Sequence, residues 1–369
     1  MCRTEKNSNA YGVPSGHANC IYDGKDVFKV KFSIGYKLPD EVDSVYSICA
    51  DFKESVSNVY FSFGNNPSGR SPLSHTEDEA YVKDLQTEEL RAIKDMGISL
   101  TLLYNANCYG ENALSKSLVD GVLKEVYDLK HKLSIDRITT TSPLLAQWIK
   151  KEFQKDIQVF ASVNMRIGTV AAMEQLSEDF DGFYVQKEVN RNLKEIERLK
   201  SYTDSVGKKL CILANSGCLA HCAFQTFHDN LVAHEAGIIH RDNVPSDYAA
   251  PCWRFLDGLE ERKALTKILG SNWIRPEEVH LYEPYFDEMK LATRLHQRMR
   301  MVVSAYVHGK YYGNLMDLTE PAYSALFRGT VLDNTKIPDD YAAHMTRCDH
   351  NCAKCGYCER ILDDIITEF

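Results

Sequence analysis

The chain has 369 residues, and its 43 lysines and arginines face 52 aspartates and glutamates, which gives a formal net charge of -9. This acidic balance argues against a protein that coats nucleic acid or an anionic membrane surface. The length suffices for one large domain or two ordinary ones around a substantial core.

Two features of the sequence bear on compartment. No stretch approaches the roughly 20 consecutive apolar residues of a membrane span, and the polar start MCRTEKNSNAYG lacks the apolar core of a secretory signal. We therefore expect a cytoplasmic protein with no membrane partner. In a reducing compartment its twelve cysteines are expected to bind metal or act in redox chemistry rather than to form disulfides.

Residues 1–27 lack periodicity and are predicted to form an N-terminal extension. From there on, short β-branched and aromatic runs alternate with amphipathic stretches of helical length, a pattern typical of parallel strands covered by helices. The predicted strands are Phe28–Tyr36, Asn58–Asn66, Gly97–Asn105, Arg137–Thr141, Asp156–Asn164, Gly182–Lys187, Lys209–Asn215 and Glu288–Ala292.

Between the strands, apolar residues at helical spacing predict helices over Asp120–Leu133 and Asn190–Tyr202, and Pro143 is placed to begin another. A final helix is predicted from Arg294 to about His308. No glycine-rich phosphate loop follows the first strand. Its absence favours an α/β fold of the TIM-like (β/α)8 type, with an open dinucleotide-binding sheet as the alternative.

The predicted barrel spans residues 28–310 and carries an insertion at about 216–275, which is longer than an ordinary crossover. Residues 311–369 follow as a C-terminal cysteine-rich appendage. Because the carboxyl ends of barrel strands form the active-site face, we expect the insertion to lie over the mouth of the barrel.

The first cysteine group follows the seventh predicted strand in LCILANSGCLAHC and continues in PCWR; it comprises Cys211, Cys218, Cys222 and Cys252. Four thiolates converging at the barrel mouth would suit a 4Fe-4S cluster. Two alternatives remain: Cys211 as a buried strand residue among cysteines that merely pack, and a structural zinc site.

The second group lies within CDHNCAKCGYC and comprises Cys348, Cys352, Cys355 and Cys358. Four cysteines so close in sequence are more typical of ferredoxin-like cluster loops than of zinc sites built from two distant knuckles. The spacing therefore favours a second 4Fe-4S cluster, with zinc as the alternative.

Polar side chains at the predicted strand ends should face a common pocket. Amides dominate this set, which suits the orientation of a polar or anionic ligand by hydrogen bonds. Its members are Tyr36, Asn65, Asn66, Asn105, Asn107, Thr141, Ser142, Asn164, Arg166, Gln186 and Asn215. Of these we select Asn65, Asn105, Asn164, Gln186 and Asn215, together with Arg294, as candidate substrate-binding residues, and Arg166, Tyr36 and His221 as candidate catalytic residues.

The same segments resemble the collagenase-like peptidase family U-32 and its non-proteolytic relatives. The resemblance covers about residues 28–310 and rests on LCILANSGCLAHC, PCWR, WIRPEEVHLYE and DEMKLATR. In the last of these, Lys290 and Arg294 match a family pattern of the type F-K-I-E-G-R, whereas Ala292 and Thr293 replace its Glu-Gly. Cys211 and Cys218 match the C-x6-C that opens the family's cysteine signature.

The resemblance implies a TIM-like barrel that holds a 4Fe-4S cluster on four cysteines. Relatives take part in oxygen-independent hydroxylation of ubiquinone precursors or of RNA bases, and others carry the peptidase name. The leading hypothesis is thus an iron-sulfur redox enzyme that carries out oxygen-independent hydroxylation or a related modification of a small molecule, a peptide or a nucleobase. A peptidase and a non-catalytic iron-sulfur subunit are the alternatives, and an electron-donor protein or a related barrel would be the expected partners.

Overall fold

Eight parallel strands close into a barrel in the computed structural model, which describes residues 28–40, 43–64, 68, 79–234 and 250–368. The first strand pairs with the second and the eighth, so that Ser33 lies beside both Asn58 and Lys290. The predicted (β/α)8 fold is confirmed. The barrel strands are β1 Lys31–Gly35, β2 Val56–Phe61, β3 Ser99–Tyr104, β4 Arg137–Thr140, β5 Gln158–Ala161, β6 Gly182–Tyr184, β7 Lys209–Leu213 and β8 Glu288–Lys290.

Helices cover the outside of the barrel and continue beyond it. Numbered over the described residues, those of the barrel are α1 Val45–Asp51, α2 Glu79–Asp95, α3 Lys116–Leu133, α4 Pro143–Phe153, α5 Val170–Glu174, α6 Leu193–Ser205 and α10 Met299–Val307. Those of the insertion and the C-terminal segment are α7 Gln225–Ala233, α8 Pro251–Asp257, α9 Glu261–Leu269, α11 Tyr341–Met345, α12 Cys352–Cys355 and α13 Tyr357–Ile365. Among all helices of the described residues, none is both long and apolar enough to cross a membrane.

Helix α3 shows how the local sequence fixes these elements. The Ser115 side chain accepts a hydrogen bond from the Leu118 amide at the N-terminus, and Ser134 ends the helix in the left-handed conformation. One face buries an apolar stripe against the barrel, formed by Val119, Val122, Val126, Leu129 and Leu133.

The interior of the barrel is unusually polar. Asn58 donates to the Ser33 hydroxyl at 2.6 Å and accepts from Thr101 at 2.8 Å, which links three neighbouring strands. The Arg137 guanidinium lies 2.8 Å from the Glu288 carboxylate, joining β4 to β8 across the interior. These pairs satisfy most of one another's polar groups, although the Arg137 Nε atom is buried without a hydrogen-bond partner.

A second hydrophobic core lies outside the barrel. It combines Leu265 and Trp273 from the insertion with Tyr341 and Leu362 from the C-terminal segment. A short antiparallel pair, β9 Thr330–Leu332 and β10 Ile366–Glu368, closes this part of the chain. The insertion and the cysteine-rich segment therefore share one core.

Candidate functional site

A polar cluster stands at the mouth of the barrel. Asp229, on α7, accepts a hydrogen bond from the Asn107 side chain at 3.0 Å and lies 3.9 Å from Arg166. Burial raises the pKa of the Asp229 carboxyl, while Lys187 and Arg166 act in the opposite direction. The Oδ1 atom of Asn107 is buried without a hydrogen-bond partner. The cluster thus combines both charges with an acceptor that a ligand could satisfy.

Arg166 adopts a left-handed backbone conformation with φ of 55°. This conformation is uncommon for a residue other than glycine and is often found at functional sites. It directly precedes the bridge between Ile167 and Val185, which extends the pairing of β5 and β6. The strained residue therefore has a fixed position beside Asp229.

The first cysteine group forms next to this cluster. Cys218 and Cys222 each act electrostatically on Cys252, so these three thiols lie near one another. The Tyr323 side chain also lies beside the Cys252 thiol. Residues 216–222 follow β7, and Cys252 is the second residue of α8. Loops on either side of the insertion thus bring the three thiols together.

The Lys187 ammonium and the Ser216 side chain lie beside the Cys218 sulfur. Burial raises the pKa of the Cys218 thiol, but Lys187 and Ser216 together outweigh burial, so the net pKa lies below its ordinary value. Lys187 itself is 8% exposed. A buried cation consequently stabilises the thiolate form, which is the form that binds metals.

Cys211 lies elsewhere. It faces the barrel interior from β7 and packs with Phe160 and Tyr184. The charged groups that act most strongly on it are Arg137, Glu288 and Lys290, and burial raises the pKa of its thiol to about 12. The structure therefore brings together three of the four cysteines in the predicted first group, because a strand residue cannot reach the loop that follows the strand.

The second cysteine group is brought together as one unit. Cys348, Cys352 and Cys355 all act electrostatically on Cys358, and burial is the main cause that raises the pKa of the Cys358 thiol to about 11. The Cys355 sulfur lies 3.3 Å from the Nε2 atom of His344. A donor set of four thiols in one short segment fits a 4Fe-4S cluster.

One cysteine of the first group and all four of the second line a single cavity of about 810 Å³. These are Cys222 and Cys348, Cys352, Cys355 and Cys358. Apolar and aromatic side chains, among them Phe224 and Phe255, form much of the remaining wall. Among the described residues, no three His, Cys, Asp or Glu side chains converge as a preformed site for a single metal ion.

Two histidines join the cysteine-bearing segments. The ring of His221 packs edge-on against that of His350, and both line the cavity. Both residues have left-handed backbone conformations, with φ of 51° and 58°. His221, a predicted catalytic residue, therefore stands between the two cysteine groups.

Other predicted residues have structural partners. The Asn215 side chain is buried between the main chains of Ala292 and Leu318, and the Asn164 amide donates to the Asn105 carbonyl at 3.2 Å. Gln186 packs so closely on Gly168 that a Cβ there would lie 2.2 Å from its Nε2 atom.

Tyr36 and Arg294 differ in their access to the pocket. Tyr36 is 1% exposed in the main core next to Glu89, so the structure places it away from the mouth of the barrel. Tyr36 points outward toward the helices, as does Ile34 two residues earlier, because side chains alternate in direction along a strand. Arg294 is partly exposed beside Ser62, with 3.5 Å between its Nη1 atom and the hydroxyl. Asn65 lies outside the described residues.

Sequence reasoning missed Lys187, Asp229 and Arg191. Lys187 and Arg191 lie on either side of a short turn after β6. The sequence pattern there does not indicate that this turn lies close to cysteines. Asp229 lies in FHDNLVAHE, most of which belongs to α7. The strand-end position of Lys187 and the helical register of Asp229 are the signals that could have found them.

A buried lysine completes the barrel interior. Lys290 ends β8, and its Nζ atom lies 3.8 Å from the centre of the Tyr60 ring and 5.1 Å from that of Tyr184. Burial lowers the pKa of Lys290 to about 7, and the charge of Arg294 acts in the same direction. An uncharged amine can therefore exist there near neutral pH.

Comparison with known proteins gives two matches of interest. The chain is 23% identical over 340 residues to the uncharacterized protease MJ1657 of Methanocaldococcus jannaschii, a match that covers 88% of this chain and 93% of that protein. The solved structure of the U32 peptidase Mk0906 covers 75% of this chain and 97% of its own, with a TM-score of 0.50 and 18% sequence identity. No family model matches the chain. The predicted resemblance to U32 peptidases is confirmed.

Proposed function

We propose that this U32-like barrel is an iron-sulfur enzyme with two clusters: one on Cys348, Cys352, Cys355 and Cys358, and one on Cys218, Cys222 and Cys252. The observation that carries the proposal is that Cys222 of the first group lines the same cavity as all four cysteines of the second group. When bound, such clusters supply one-electron redox chemistry. The reaction class we propose is oxygen-independent hydroxylation or a related modification.

The chain's own residues supply what the clusters lack. Arg166, Asp229 and Asn107 would orient a polar substrate at the barrel mouth, since they combine charge with an unsatisfied acceptor. Lys187 would hold Cys218 as a thiolate. The apolar wall around Phe224 and Phe255 would exclude water from the space between the two cysteine groups.

The proposal also concerns the number of ligands at each site. With Cys211 inside the barrel, the first site offers three thiols and the second offers four. A cluster held by three cysteines leaves one iron without a protein thiolate. That iron would be the one available to substrate, while the four-cysteine site would transfer electrons.

Anaerobic purification followed by iron and sulfide analysis tests this proposal. Two clusters give about eight irons and eight sulfides per chain, and one gives about four of each. Electron paramagnetic resonance of the reduced protein should then show two interacting signals. A colourless protein with stoichiometric zinc and no sulfide would overturn the proposal.

A second candidate function is peptide hydrolysis, which the names of both relatives favour. The structural observation that supports it is the 3.3 Å contact between the Cys355 sulfur and the His344 imidazole, since a thiol beside a base is a nucleophilic arrangement. Hydrolysis of a labelled casein by the metal-free protein, lost in Cys355→Ser and in His344→Gln, would establish this function. Absence of hydrolysis in both metal-free and iron-loaded protein would exclude it.

A further inference from the structure

Arg191 is a buried guanidinium on the connection between β6 and α6. It is 6% exposed. Its Nε atom donates to the Trp273 carbonyl at 2.8 Å, and its Nη1 atom donates to the Tyr341 hydroxyl at 3.1 Å. These two bonds fix the orientation of the group.

Two aromatic rings hold the guanidinium further. Its central carbon lies 4.7 Å from the centre of the Trp273 ring and 5.4 Å from that of Tyr341. Arginine stays protonated at every pH a protein survives, so this is a permanent buried charge. Trp273 and Tyr341 belong to the core that the insertion shares with the cysteine-rich segment.

This charge lacks a full complement of partners. The Nη2 atom is buried and has no hydrogen-bond partner. Within the described chain, no carboxylate lies within 4.0 Å of Arg191; the nearby Glu278 is 3.8 Å from Arg275 instead. Glu278 acts electrostatically on Arg191 but also on Arg275, so the two guanidinium groups share one carboxylate. A buried guanidinium with an unsatisfied N–H group and only a shared carboxylate is costly unless a further anion is present in the working protein.

The C-terminal cysteine group is the neighbouring site that would become anionic. The Tyr341 side chain that accepts the Arg191 hydrogen bond has its ring 6.4 Å from the ring of Tyr357, which directly precedes Cys358. In agreement with this geometry, Arg191 is among the charges that act on the Cys358 thiol. Four metal-bound thiolates would bring the missing negative charge within reach of Arg191.

We propose that Arg191 is the built-in counter-charge of the C-terminal cysteine site and raises the reduction potential of the cluster held there. This inference rests on the proposed function, because it requires a cluster on Cys348 to Cys358. Reduction adds one negative charge to the cluster. A fixed positive charge nearby therefore stabilises the reduced form more than the oxidised form.

Redox titration followed by electron paramagnetic resonance tests the proposal on the full-length, iron-loaded protein. Wild type is compared with Arg191→Met, which removes the charge, and Arg191→Lys, which retains it. A Cys218→Ser background isolates the signal of the C-terminal cluster. We expect the equilibrium constant for one-electron reduction to fall at least tenfold in Arg191→Met, a shift of about 59 mV to lower potential, and to change less than threefold in Arg191→Lys.

Arg275→Met is the matched control, because Arg275 is also buried and its guanidinium carbon lies 5.7 Å from the centre of the same Tyr341 ring. In Arg275→Met the equilibrium constant for one-electron reduction should stay within threefold of the wild-type value. If Arg191→Met does not fold, Arg191→Gln makes the same comparison, since its amide retains a donor for the Trp273 carbonyl.

The outcomes separate the two proposals. An unchanged potential in a neutral Arg191 variant that retains its iron would overturn the role of Arg191 and leave the cluster in place. A shift of equal size in Arg275→Met would also overturn it, since the effect would then not be specific to Arg191. Wild-type protein without iron and sulfide would instead refute the proposed function.

Discussion

His221 and His350 pack edge to face, with ring centroids 4.8 Å apart and planes at 83°. One residue follows β7 and the other belongs to the C-terminal segment, so their contact joins two parts of the chain that are distant in sequence. Each ring lies next to cysteines of a different group. The contact therefore couples the geometry of the two cysteine-bearing segments.

We predict that His221→Ala and His350→Ala are not additive in their effects on stability. Aromatic pairs contribute about 0.5 to 1.5 kcal/mol beyond area burial, so we expect a coupling energy of about 0.5 to 1 kcal/mol. Urea unfolding of both single variants and the double variant measures it. As a control, His280→Ala, at an exposed position, should be additive with His350→Ala. Additivity of the His221 and His350 changes would contradict the prediction.

The second prediction concerns how much iron the protein loses when single cysteines are replaced. Cys348→Ser should remove only the C-terminal share of the iron, and Cys218→Ser only the share at the barrel mouth, because the two groups lie on different segments. Cys211→Ser should leave the iron content unchanged, since Cys211 packs with Phe160 and Tyr184 inside the barrel. Iron and sulfide analysis of each anaerobically purified variant measures this. Loss of iron in Cys211→Ser would contradict our division of the cysteines.

Strand positions were predictable because parallel-strand hydrophobicity is a local signal. Glu288–Lys290, only three residues long, was still found within Glu288–Ala292. The site was less predictable, because it depends on which way a side chain points. Tyr36 follows a strand as expected but faces the helices, and Asn215 bonds to main-chain atoms 77 and 103 residues further along the chain. No local pattern encodes such long-range contacts.

Asn215 provides the third prediction, which concerns stability. Its side-chain amide donates to the Ala292 carbonyl at 3.0 Å and to the Leu318 carbonyl at 3.1 Å, and its Oδ1 atom accepts from the Ala292 amide. Asn215→Ala would leave these buried groups unsatisfied, so we expect a loss of about 2 to 4 kcal/mol. Urea unfolding measures the loss. Asn112→Ala, at an exposed turn, should cost less than about 0.5 kcal/mol.

The residue also discriminates between a structural and a binding role. If Asn215 is structural, ligand affinity in Asn215→Ala should follow the fraction of folded protein. An unchanged unfolding midpoint would show that the three hydrogen bonds contribute little, and it would return Asn215 to the set of candidate binding residues.

The fourth prediction follows from the buried amine of Lys290. Its pKa is lowered by burial to about 7 in the folded state, whereas an unfolded lysine titrates near 10.4. Between these values the unfolded chain binds more protons than the folded chain, so wild-type stability falls as the pH decreases from about 10 to 7. Below pH 7 both states are protonated, and the penalty is constant.

Lys290→Met removes this penalty but also the contacts of the ammonium with the rings of Tyr60 and Tyr184. We expect a net gain of about 2 to 4 kcal/mol at pH 6.5, which shrinks steadily as the pH rises to 9.5. Urea unfolding at several pH values measures both parts. Lys31→Met, at an exposed position on β1, should show neither the gain nor its pH dependence. A gain that stays constant between pH 6.5 and 9.5 would show that Lys290 remains charged in the folded protein, since only a group that titrates between the two states makes stability depend on pH.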